Sequence, residues 1–164
     1  MNHTTVIISQ YQAALEMLRQ ATIACPDGLW NNANDSAQVW RIVYHALFYT
    51  HLYLQDSLQS FTPWAKHRPG YESLSQESGD SLTPAEPYDK ATLLEYMDFC
   101  QGEVKKRVPK MNLDGPSGFH WLPFSKFELQ IYTIRHIQQH TGELMERLGS
   151  QANLEFPWVG QRTG

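Results

Sequence analysis

The chain has 164 residues, 41% of them apolar and 18% charged, which is the size of one ordinary domain and too apolar for a disordered one. Its formal net charge is -4, and no basic run is longer than Lys105, Lys106 and Arg107, which argues against nucleic acid as a partner. Met1 to Gln10 lacks a signal-peptide pattern, and no window approaches the ~18 apolar residues that span a bilayer, so the expectation is a soluble, cytoplasmic protein with no membrane partner.

Prolines interrupt the chain so that four long windows stay free of them, and each window carries helical spacing. The first, from about Thr4 to Ala24, sets Ile7, Tyr11, Ala14, Leu15, Leu18 and Thr22 on one face and stops at Pro26 and Gly28. The second runs from about Ser36 to Leu58, with Asp35 and Gln38 spaced like a capping box. It is apolar over much of its circumference and is expected to be deeply buried.

A connection of about 30 residues follows, from Gln59 to Tyr88, carrying Phe61, Trp64, His67 and Tyr71. The third helix begins after Asp89 and aligns Leu93, Met97, Cys100 and Val104, with Lys105, Lys106 and Arg107 suited to a helix C-terminus. A shorter aromatic loop, with Phe119, His120, Trp121 and Phe124, leads to the fourth. That helix starts at Ser125-x-x-Glu128, presents Leu129, Thr133, Ile137, Leu144 and Leu148 inward, and stops at Gly149. Both aromatic loops are read as sealing the core or roofing a pocket.

Four amphipathic helices and no convincing strand predict an all-α chain, a four-helix bundle with a long crossover loop. Residues 1–149 form the domain, and 150–164 form a tail with one apolar patch at Phe156-Pro157-Trp158-Val159. Cys25 and Cys100 read as buried hydrophobes rather than as a disulfide framework.

His136 and His140 stand four apart on the last helix, one turn above the other at the border of its apolar face, a spacing that lets two imidazoles reach one cation. Catalytic zinc sites typically use three protein ligands, and His45, midway along the apolar second helix, is the candidate third. His51 is turned roughly 120° from His45 and reads as core or interface.

The segment Tyr44-His45-Ala46-Leu47-Phe48, together with Glu128 to His140 on the last helix, resembles the DinB-like superfamily of damage-inducible, metal-binding bundles. The resemblance covers about residues 1 to 149. It implies one divalent metal ion, zinc or nickel, held by His45, His136 and His140, and it implies homodimers. Some members are thiol-dependent S-transferases or isomerases, so a small-molecule thiol is an implied substrate. The chain departs from many members in having Gln139 before the last ligand and Thr133 where a residue such as Asn is found.

A three-histidine site with an open position suits thiol transfer or hydrolysis by a metal-dependent enzyme; a non-catalytic stress-response module and a closed structural site are the alternatives. Hydrolysis needs a general base. Glu128 is expected in the helix cap, and Glu143 reaches a ligand only if it turns inward. Tyr49 and Tyr132 are read as packing residues that could donate to a bound ligand, and His67 or His120 as loop residues able to close over the metal.

Overall fold

Local capping and apolar spacing fix most of the helix limits seen in the computed structural model, which describes residues 2–74 and 86–162. Helix α1 spans His3–Ala24, α3 spans Val39–Tyr53, α4 spans Lys90–Arg107 and α5 spans Lys126–Ala152, with a single turn, α2, at Asp27–Trp30 behind Pro26. A short 3₁₀ turn, Val108–Lys110, continues α4. The described residues are all-α; the one β-type pairing is an isolated bridge between Pro116 and Ser125. No helix among them is long and apolar enough to cross a membrane.

Two of the expected starts are held by side chains. Asp89 accepts from the Thr92 amide at 2.6 Å, and the Ser125 hydroxyl accepts from the Glu128 amide at 3.1 Å. Glu128 itself is exposed and forms no return bond among the described residues, so only half of that capping box exists.

The second helix is shorter than its sequence pattern. Gln38 is itself the N-cap and makes no side-chain cap bond, because Asp35 pairs instead with Arg147 of α5 at 3.2 Å, and Arg147 also takes the Ala37 carbonyl. At the other end α3 stops at Tyr53; just beyond it the Lys126 ammonium donates to the Gln55 and Asp56 carbonyls, and a Ser57–Ser60 turn follows. Helix α5 passes Gly149 and closes at Asn153, whose φ of 54° is one that asparagine tolerates.

The four long helices are arranged so that α4 and α5 each pack against both α1 and α3. Every residue expected on the inner faces of α1, α4 and α5 is buried. The central core joins Tyr11 and Leu15 of α1, Trp40 and Leu47 of α3, Met97 of α4 and Ile137 of α5. A smaller cluster of Leu52, Tyr53, Phe119 and Leu129 sits under the loop before α5. Both aromatic loops seal these clusters: Trp64 stacks on Tyr96 at 4.3 Å between ring centroids, and Tyr71 rests on Trp40 at 5.4 Å.

The tail is anchored at several points along its described length. Leu154 and Phe156 pack on the core, the Gly160 carbonyl accepts from Gln10, and Arg162 pairs with Glu16, so the segment runs back along α1.

Candidate metal centre

Helix α3 is so apolar that a polar ring at its midpoint must find partners, and His45 finds them on α5. Its Nε2 lies 3.1 Å from His136 Nε2, and His140 Nε2 lies 3.1 Å from the same atom. The ligand atoms of all three rings lie within 4.8 Å of one another, close enough to hold a metal ion. His140 is buried, and His45 and His136 are partly so.

The outer nitrogens decide what those inner atoms are. His45 Nδ1 is 2.6 Å from the Glu72 carbonyl, which can only accept, so the hydrogen of this imidazole is on Nδ1 and its Nε2 is a bare lone pair. His140 Nδ1 is 2.8 Å from the Glu143 carboxylate, so Nδ1 carries a hydrogen, and in the neutral form that binds metals its Nε2 is the free lone pair. Burial pushes the Glu143 carboxyl upward, but hydrogen bonds from His140 and Gln139 outweigh it and hold the group below its ordinary pKa, ionised and acceptor-only.

Burial, reinforced by the neighbouring His140 and His45, lowers the His136 pKa to about 3. His45 is lowered as well, by burial first, against the opposing pull of the Glu72 carbonyl. At neutral pH both rings are therefore uncharged, the form in which imidazole binds metals. Among the described residues His136 Nδ1 is buried without a partner, and none of them fixes its tautomer independently of the cluster.

The chemistry of this donor set suits a divalent cation. Zn–N bonds of about 2.0–2.1 Å put tetrahedral ligand atoms roughly 3.3–3.4 Å apart, near the 3.1 Å separations around His136 Nε2, and the wider spread of the cluster, within 4.8 Å, would have to close for one ion to reach all three. Two lone pairs facing a third nitrogen are repulsive unless a proton or a cation lies between them. His136 holds one proton at most to share; a cation satisfies all three.

The chain matches no protein-family model, no curated protein and no solved structure. The centre is therefore defined by its own geometry.

Of the remaining sequence candidates, Tyr49 lies beside the site, its ring 4.7 Å from that of His45 and 5.8 Å from that of His136. Burial raises its pKa, so its hydroxyl stays protonated and able to donate. Tyr132 packs instead with Tyr53 and Phe124. His67 is bound to the Tyr44 hydroxyl at 2.6 Å and stacked on Phe48, and His120 is exposed beside Trp121, so neither joins the cluster. His51, read as core or interface, is buried and bonded to Tyr96.

Glu72 is the participant that sequence reasoning missed. It belongs to the long connection and acts through its backbone carbonyl, which any residue type would supply, so no sequence signal marks it. Two cavities of about 570 and 430 Å³ lie elsewhere.

Proposed function

We propose that this chain is a metal-binding protein of the DinB-like type, a four-helix bundle with the segment between α3 and α4 as its long crossover. One zinc or nickel ion is held by His45, His136 and His140 and serves thiol-dependent group transfer or isomerisation. The observation that carries the reading is the convergence of three imidazole Nε2 atoms, two of them on rings whose outer nitrogens face acceptors.

When bound, a divalent cation supplies positive charge that lowers the pKa of a small-molecule thiol and favours its nucleophilic form. The protein's part is orientation. Glu72 fixes the His45 ring, Glu143 fixes the His140 ring, and the Tyr49 hydroxyl is available to hold an electrophile. Glu143 is taken up by the outer nitrogen of His140, away from the converging Nε2 atoms, which disfavours the hydrolase alternative.

The test has two parts. Metal content and X-ray absorption on the purified protein should give about one equivalent of zinc or nickel with three nitrogen ligands from histidine; a fourth protein ligand would make the site structural. A scan of glutathione, bacillithiol and mycothiol against chlorodinitrobenzene and maleylpyruvate should then give turnover that His136→Ala loses. Bound metal without turnover makes the chain a binding module; undiminished turnover in His136→Ala sinks the metal-enzyme reading.

A further inference from the structure

A second cavity lies on the other side of α3, and it uses the histidine that the metal centre leaves out. It measures about 430 Å³ and opens between the end of α3, the Ser60–Ala65 stretch and the last turns of α4. Its floor is His51, only 3% exposed, beside Gln55. Phe61 and Phe99 hold the imidazole edge-on at 5.0 and 4.9 Å.

The polar atoms of this floor are not used up by the fold. The Tyr96 hydroxyl is 3.2 Å from His51 Nδ1 and forms no other hydrogen bond among the described residues; with the hydroxyl donating there, the ring hydrogen sits on Nε2. No described residue pairs with Nε2. Burial lowers the His51 pKa to about 4, so the ring is a neutral donor at pH 7 rather than a cation. Gln55 donates its side-chain amide to the His51 carbonyl, which leaves its oxygen free to accept.

At the rim, Glu103 is 7% exposed and pairs with both Arg107 and Lys106. Two cations against one carboxylate leave one net positive charge, which suits a monoanion better than a dianion that would also meet Glu103. Arg107 uses Nε for Glu103, so the remaining guanidinium N–H groups are available to a ligand. The walls are flat rings, Trp64 and the partly exposed Phe99.

We propose that this cavity is a second binding site, independent of the metal centre, for a small aromatic carboxylate. Its carboxylate meets the Arg107 and Lys106 rim, its ring lies against Phe99 and Trp64, and a polar edge reaches His51 Nε2–H.

The test is a titration of the full chain with benzoate, read by the NMR shifts of the His51 imidazole and the Arg107 side chain. Benzoate should bind saturably. Benzyl alcohol, which lacks the charge, and inorganic phosphate, which lacks the ring, should each bind at least about tenfold more weakly. Arg107→Met and Phe99→Ala, both at the accessible rim, should each weaken benzoate about tenfold or more. These rim variants decide the matter even if a core change such as His51→Gln fails to fold.

The proposal is overturned by an absence of saturable shifts, by unchanged benzoate binding in both rim variants, or by phosphate binding as tightly as benzoate. His136→Ala should bind benzoate like the parent chain. Loss of binding there would put the anion at the metal centre and overturn the second site without touching the first.

Discussion

Removing His136 should weaken the coupling of the fold to zinc. Its Nε2 is the atom that both other histidines approach, at 3.1 Å each, so a His136→Ala chain keeps two donors with nothing between them. Zinc at about 1,000 times its Kd stabilises a protein that binds it only when folded by about 4.1 kcal/mol. Losing a direct ligand costs at least the roughly 100-fold affinity loss seen for outer partners of metal ligands, which lowers that gain by about 2.7 kcal/mol at the same zinc concentration. A chain of this size moves in Tm by about 2–4 °C per kcal/mol, so zinc should raise the parent Tm by about 8–16 °C and the variant by about 3–6 °C. Scanning calorimetry at pH 7.5, with zinc and with a chelator, measures both; exposed His120→Ala is the control and should behave as the parent. An equal shift in the parent chain and His136→Ala, or no shift in the parent with either zinc or nickel, would refute the site.

Without metal, the protein should lose stability as pH falls below the ordinary histidine value of 6.5. His136, at about 3, and His51, at about 4, bind protons only after unfolding in that window; their contribution is complete above pH 6.5 and drains at about 1.4 kcal/mol per unit for each group. Urea midpoints that stay level from pH 7 to 5 would contradict this. Lys126→Met should destabilise by about 2–4 kcal/mol in urea unfolding, since the ammonium serves the carbonyls of Gln55, Asp56 and Ser117 and methionine serves none; a change below about 0.5 kcal/mol would mean that water replaces it. Gly118→Ala should be at least as severe, because φ is +90° and a Cβ there would stand 1.7 Å from the Asp56 carbonyl oxygen; a Tm within about 2 °C of the parent would show that the loop yields. Cys25 and Cys100 are both buried with raised pKa values, burial being the main cause, so native protein should resist a thiol reagent that labels the denatured chain fully within minutes.

Legibility in the sequence followed the range of the interaction involved. The Asp89 and Ser125 caps act within three residues and were readable, whereas Asp35 followed a partner 112 residues away, Arg147, and the expected cap of α3 dissolved. Lys126 shows the same limit. Nothing in Ser125-Lys126-Phe127 says that its ammonium takes two carbonyls just past the end of α3, some 70 residues earlier.

The His136/His140 pair and the inner faces of α1, α4 and α5 were determined by the sequence alone, because a helix converts spacing into direction and apolar stripes must turn inward. Tertiary structure alone decided that His45 meets that pair while His51 turns to Tyr96 and a different cavity. It also decided that the Glu72 carbonyl, from a loop without periodicity, sets the His45 tautomer. A backbone acceptor carries no residue-type signature, so its role exists only once the chain has folded over the site.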